Sequence, residues 1–363
     1  MSFDAIMLCS YGGPRGMEDV LPFMRNATRG RGIPDERLLQ VSEHYKLFDG
    51  VSPINARNEE LRAAIAEQVD VPVVIGNRNW SPYFAQTLTE LDQRGLHRVL
   101  CVFTSAFASY SGCRQYREDI AAAVAQIGAQ DRFRLTKIPP YYGSEGFLAA
   151  NVSAALAAME DDDVAHLLLV THSIPVAMDE NSGPASAHKT YLVQHQELGE
   201  KICAELSDKL CRKIAADLVF CSRSGSPHQK WLEPDVNDRI SELASAGVQS
   251  VVVLPIGFIT DHMEVVYDLD TEARKTAAEL GIRYRRAATA GTHPEFVKSL
   301  VQLINDAAEQ DRTAQRGEQQ GGEVSWPARC ETSCCLPCDG YQLRPTEFDQ
   351  ISAPDPRERK NHV

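Results

Sequence analysis

The chain predicts an α/β fold of two similar lobes, each built on a parallel sheet, followed by a cysteine-containing C-terminal extension. Three observations lead there. Short apolar runs alternate with helical segments throughout 363 residues. The runs are continuously aliphatic rather than alternating, as in strands buried on both faces. The second half also repeats local patterns of the first in the same order, which marks a duplicated unit with ligands gathered at the strand ends.

In the first half the strand-like runs fall at 5–9, 71–75, 99–104 and 133–138, and in the second at 165–171, 217–221, 250–256 and 282–287. Helical patterns occupy 59–68, 85–94, 116–126, 146–159, 196–214, 236–246, 263–279 and 293–309. Leu8-Cys9-Ser10-Tyr11-Gly12-Gly13-Pro14 parallels Leu169-Val170-Thr171-His172-Ser173-Ile174-Pro175. Segment 74–82 likewise parallels 219–227, and 99–107 parallels 251–259. Tyr11 and His172 thus fall on equivalent strand tips, as do Arg78 and Arg223. The expected division is a first lobe at 1–160, a second at 161–310, and a polar linker with cysteine tail at 311–363.

Composition narrows the partners. A formal net charge of −13 argues against nonspecific nucleic-acid binding. No stretch is long and apolar enough to span a bilayer. The N-terminus opens on a strand-like run without a basic region or cleavage site, so a cytoplasmic location is expected. Of ten cysteines, six are scattered (Cys9, Cys101, Cys113, Cys203, Cys211, Cys221) and read as small hydrophobes. The other four, Cys330, Cys334, Cys335 and Cys338, crowd together and suggest metal rather than disulfides.

Two stretches carry chemistry. The run 167–170 delivers His172 to a strand end, where it is either a site residue or a buried structural histidine. A second strand ends at 255–259, and Asp261 with Glu264 forms a capping-box-like helix start. Glu264, Asp268 and Glu272 then recur every fourth residue on one helix face, a pattern that costs roughly 0.2–0.5 kcal/mol per like-charged pair. Either a cation compensates the row or it is a solvated face. Imidazole and carboxylate together can ligate Fe(II) and accept protons, which suits iron insertion into a porphyrin that must lose two pyrrole protons.

Over residues 3–309 the chain resembles the ferrochelatase family. The resemblance is carried by Ser10-Tyr11-Gly12-Gly13-Pro14, Gly50-Val51-Ser52-Pro53, Thr171-His172-Ser173-Ile174-Pro175 and Pro255-Ile256-Gly257-Phe258 with Glu264 and Asp268 beyond. Segment 104–116 and the cysteine tail resemble the actinobacterial branch. The resemblance implies the type II chelatase fold, with two Rossmann-like lobes, and insertion of Fe(II), as substrate, into coproporphyrin III to give coproheme. It implies that His172 and Glu264 bind iron, His172 accepting pyrrole protons, while Asp268 continues a carboxylate path to solvent. Tyr11 matches the residue facing the metal from the other side of the macrocycle, and Ser52 and Tyr116 match positions contacting the tetrapyrrole. Arg29 and Arg31 lie where the family binds propionates, and coproporphyrin carries four of these. His44 departs from the arginine of Firmicute relatives.

For the cysteine group the resemblance implies a 2Fe–2S centre that takes one ligand from the body of the fold, yet segment 142–159, where that ligand falls, has no cysteine. Either the tail supplies all four ligands or a body residue such as Cys113 substitutes for one; structural zinc and unligated thiols are the other readings. Alternative functions within the fold are a protoporphyrin IX ferrochelatase or a cobalt chelatase. A non-catalytic iron or haem carrier with a redox-sensing tail is the alternative outside it. Other haem-pathway enzymes are expected partners.

Overall fold

The structure, a computed structural model, describes residues 1–30, 32–159, 165–183, 189–223, 229–315, 330 and 334–337. Arg31 and Cys338 lie outside the described residues. Among the described residues, eight strands form two parallel sheets. The first contains β1 (Ala5–Ser10), β2 (Val73–Asn77), β3 (Arg98–Phe103) and β4 (Arg134–Lys137) in the order β2-β1-β3-β4. The second contains β5 (His166–His172), β6 (Ala216–Cys221), β7 (Ser250–Leu254) and β8 (Arg283–Arg286) in the order β6-β5-β7-β8. The two orders are the same, as the internal repeat requires. Leu8 pairs with Ile75 and Val102, and Leu169 pairs with Leu218 and Leu254 in the matching places.

The helices in chain order are α1 (Met17–Ala27), α2 (Asp35–Lys46), α3 (Ile54–Ala66), α4 (Phe84–Gln93), α5 (Gln115–Gln126) and α6 (Glu145–Met159). They continue with α7 (Val176–Glu180), α8 (Tyr191–Leu210), α9 (Val236–Ser245), α10 (Met263–Val265), α11 (Arg274–Glu279) and α12 (Pro294–Gln315). A core joins the two sheets, with Leu8 and Leu100 from one, Leu167, Leu169 and Leu254 from the other, and Phe147 of α6 and Phe296 of α12 between. Each such fully buried side chain contributes roughly 1.5–3 kcal/mol. The outer faces have cores of their own.

Three expectations change. Helices α1 and α2 had no counterpart in the sequence reading. Pro22 sits inside α1, where it lacks the N–H an interior turn needs, and α2 buries little besides Leu38. Their apolar residues Val20, Phe23, Met24 and Leu38 form a small separate cluster. The polar stretch expected to begin as linker at Asp311 starts as helix instead. Helix α12 runs to Gln315, and Asp311 is buried against Arg98 at 2.5 Å and Arg134 at 3.1 Å. The helix expected over 263–279 is three pieces, with a π-helical segment Val266–Ala273 between α10 and α11.

One glycine explains how the second sheet delivers its site. A Cβ on Gly257 would meet Thr171 Oγ1 at 2.1 Å. Only glycine lets the turn after β7 pass this close over the tip of β5.

Candidate active site

His172 closes β5 and is half-buried. Its Nδ1 lies 2.5 Å from the Ser173 carbonyl oxygen, so Nδ1 carries the proton and Nε2 faces the site. Beneath it runs a buried network. Tyr191 Oη donates to the His172 carbonyl at 3.1 Å and lies 2.7 Å from Thr171 Oγ1, which in turn is 2.8 Å from His195 Nε2. His195 Nδ1 donates to the Tyr191 carbonyl at 2.7 Å, so its Nε2 must accept from Thr171. Burial holds His195 neutral, with its pKa pushed down to about 3, and its ring stacks on Phe107 at 3.6 Å.

Glu264 is the second residue of α10. The helix start differs from the expected capping box: His262 is the cap, its Nδ1 accepting from the Val265 amide at 3.5 Å. Asp261 is engaged elsewhere, accepting both Arg286 nitrogens, because a buried guanidinium needs that carboxylate more than the helix end does. Glu264 Oε2 stands 3.7 Å from His172 Nε2. Burial works against charge on His172, but Glu264, the Ser173 carbonyl and Asp268 outweigh it and raise its pKa above the ordinary value.

Asp268 follows in the π-helical segment, where turns are wider than in an α-helix, so the fourfold spacing does not by itself align the three carboxylates. They remain electrostatic neighbours nonetheless. Burial first, and then Glu264, push Asp268 up to about 7, while the Ser222 hydroxyl donates to it and Glu272 adds further repulsion. Asp268 is thus poised to exchange a proton near neutrality.

Tyr11, 39% exposed, occupies the equivalent tip beyond β1. Its ring meets Phe23 edge-on at 6.0 Å, and the buried Arg78 guanidinium lies 5.6 Å from it. Arg78 pairs with Asp119 at 2.7 Å and also covers Tyr116 at 4.8 Å, whereas its sequence counterpart Arg223 pairs with Glu233 at the surface. Tyr45 of α2 lies within electrostatic reach of both Glu264 and Tyr11, and burial raises its pKa. Next to it, His44 stacks on Tyr267 at 4.0 Å and 7°. Helix α2 therefore reaches across to the carboxylate segment, a relation invisible while α2 itself went unrecognised.

The remaining expected residues sit differently. Ser52 is buried and its Oγ accepts from the Met263 amide at 3.2 Å; a cavity of about 550 Å³, lined also by Arg15, Asn55, Asn58 and Asn77, opens beside it. Tyr116 is buried, stacked on Phe103 at 5.1 Å, with its pKa pushed up to about 12. Arg29 is exposed and donates to Asn26 at 2.8 Å.

The cysteines form a second centre. Cys113, from the π-helical segment Tyr110–Arg114, contacts Cys330 and Cys335; Cys330 also contacts Cys334, whose Sγ is 3.6 Å from that of Cys335. The four sulfurs thus close a ring. Arg114 and Arg117 donate to the Cys334 carbonyl at 3.4 and 3.3 Å, and the Gly183 amide donates to Cys335 Sγ at 3.3 Å. Among the described residues no group of three His, Cys, Asp or Glu side chains is placed to hold a metal ion.

A family model described as ferrochelatase matches residues 3–308. The chain belongs to the ferrochelatase family. A coproporphyrin III ferrochelatase of Leifsonia xyli is 41% identical over 359 residues, covering 92% of this chain and 91% of that protein. One from Streptomyces griseus is 45% identical over 325 residues, covering 85% and 87%, and a ferrochelatase of Rhodopirellula baltica is 42% identical over 346 residues, covering 92% and 93%. Among solved structures, SirB from Bacillus subtilis with Fe3+ superposes with a TM-score of 0.51 at 13% identity, covering 85% of this chain and 96% of that one. That likeness shows the fold, the type II chelatase arrangement of two parallel-sheet lobes. The ferrochelatase match ends before the cysteine tail, which begins beyond it.

Proposed function

We propose that the chain inserts Fe(II) into coproporphyrin III to form coproheme, as a lyase of haem biosynthesis. The observation that supports this most is the 3.7 Å approach of His172 Nε2 to Glu264 Oε2, an imidazole at the end of β5 and a carboxylate on α10 facing one another. In this reading the two side chains receive the ferrous ion, and His172 accepts the pyrrole protons, with Glu264 stabilising the imidazolium. Asp268, titrating near neutrality beside Ser222, passes protons outward. Tyr11 faces the opposite side of the macrocycle, and Arg29 and Arg31 meet propionates. Ser52 and Tyr116 contact the tetrapyrrole, and Ser52 also holds the Met263 amide beside Glu264. The names of the Leifsonia and Streptomyces relatives favour coproporphyrin over protoporphyrin. Ferrous iron and a cysteine-rich chain suit the reducing cytoplasm.

The finer reading of the tail is a 2Fe–2S cluster on Cys113, Cys330, Cys334 and Cys335, the body cysteine replacing the expected Cys338. The Gly183 amide supplies the N–H···S bond such groups use. When bound, the cluster adds a one-electron centre apart from the metallation site.

The test is anaerobic multiple-turnover metallation with coproporphyrin III against protoporphyrin IX, and with Fe(II) against Co(II). Preferred turnover of coproporphyrin with Fe(II) supports the reading. Preference for protoporphyrin or cobalt replaces the substrate, and stoichiometric binding without turnover replaces the enzyme.

A further inference from the structure

Where the chain leaves the second sheet beside His172, one residue stands in an unfavourable backbone conformation. Ser222 follows β6 directly and has φ 61°, in the left-handed region that favours glycine. The strand fixes its place: Cys221 pairs with His172 in the register of β5 and β6, and the Cys221 carbonyl accepts from the Ser173 amide at 2.8 Å. Residues held in such a conformation by their surroundings cluster at functional sites. Glycine would follow the same path without strain, so what the serine adds is its hydroxyl. That hydroxyl donates to the Asp268 carboxylate, 46 positions further along the chain, and Cys221 Sγ lies 3.4 Å from the same oxygen. The carboxylate is much the better acceptor of the two. Asp268 in turn lies within electrostatic reach of both Glu264 and His172. Ser222 therefore links the strand tip beside the imidazole to the second carboxylate of the row.

Deepening the metallation reading above, on which it rests, we propose that Ser222 is a positioning residue that fixes the Asp268 carboxylate for carrying protons away from His172. An unrestrained aspartate side chain samples several rotamers. A charge-assisted hydrogen bond, from a hydroxyl whose own backbone is held by the sheet, selects one of them. Proton transfer needs its partners within hydrogen-bond reach or one water apart, so a carboxylate that swings away slows it without loosening the porphyrin. The proton that His172 takes from a pyrrole nitrogen leaves for solvent by way of Asp268, and Ser222 keeps its own hydrogen throughout.

The experiment compares wild type, Ser222→Gly and Ser222→Thr as full chains, reading the melting temperature and then kcat and KM for anaerobic insertion of Fe(II) into coproporphyrin III. Glycine relieves the left-handed strain but removes the hydroxyl. Ser222→Gly should therefore melt no lower than wild type, keep KM within about twofold and lose about tenfold or more in kcat. Threonine keeps the hydroxyl but is β-branched, so Ser222→Thr should melt lower and keep most of kcat. A merely structural serine predicts instead that activity follows stability. On an Asp268→Asn background, adding Ser222→Gly should change kcat by less than about twofold, because the proton-carrying group has already gone. That comparison stands even if threonine is not tolerated. Wild-type kcat in Ser222→Gly, equal loss of rate and porphyrin affinity, or a second full loss on Asp268→Asn overturns the role of Ser222 and leaves the metallation reading intact. Absence of turnover in wild type overturns both.

Discussion

The Ser52 hydroxyl accepts a hydrogen bond from the Met263 amide at 3.2 Å, tying the loop before α3 to the residue preceding Glu264. Residues 211 positions apart thereby fix one another, and the segment that carries Glu264 is held by the opposite lobe. Replacing Ser52 by alanine strands a buried amide, at a cost of about 1–3 kcal/mol. Ser52→Ala should lower the melting temperature and reduce kcat with little change in porphyrin affinity. Equal loss of affinity and rate would instead make Ser52 a direct substrate contact.

Removing the imidazole tests the centre of the site. His172→Ala should lower metallation by about 10²–10⁴-fold, the usual weight of a positioned base. Porphyrin binding, read by fluorescence quenching, should persist. Turnover close to wild type in this variant would move the base elsewhere.

Glu264 raises the pKa of His172 above its ordinary value, so the free base is lost as pH falls through that raised pKa. The acid limb of kcat/KM in wild type should therefore lie above pH 6.5, the ordinary value for histidine. In Glu264→Gln the supporting charge is gone, and the limb should move to lower pH while the plateau falls. A limb that stays put would detach it from His172.

His195 supplies a stability prediction with a definite sign. Its folded pKa, about 3, lies below the unfolded value, so the unfolded chain binds the extra proton between about pH 6.5 and 3. The stabilisation it contributes by being neutral is complete above pH 6.5 and lost as pH falls through that window, at up to about 1.4 kcal/mol per unit. His195→Leu should flatten this part of the stability curve even if it lowers the plateau. Denaturant midpoints measured from pH 7 to 4 check it.

Arg29 is exposed and donates to the neutral Asn26 amide oxygen. Arg29→Ala should raise KM for the four-propionate coproporphyrin more than for protoporphyrin, with a weaker dependence on salt. Equal changes for both porphyrins would remove it from propionate recognition.

Much of this was legible in the chain. The central strands β1, β3, β5 and β7 and the placement of Tyr11 and His172 at matching tips follow from apolar run length and internal similarity, because a strand buried on both faces leaves a continuous apolar signature, whereas the edge strands β4 and β8 are largely polar. Glu264 and Asp268 were also visible as an uneconomical carboxylate row. Helices α1 and α2 were not, since Pro22 and a mostly polar α2 hide their period, and Tyr45 and the His44–Tyr267 stack went unseen with them.

The amino-acid order by itself determined the architecture, the family and the residue types available for chemistry, because these rest on local periodicity and on motifs a few residues long. Only the tertiary structure decided which groups meet: His172 with Glu264, His262 in place of Asp261 as helix cap, and Cys113 with three tail cysteines. The His172–Glu264 and cysteine pairings join residues tens to hundreds of positions apart. They are set by the packing of two sheets on one core, and no local pattern records that geometry.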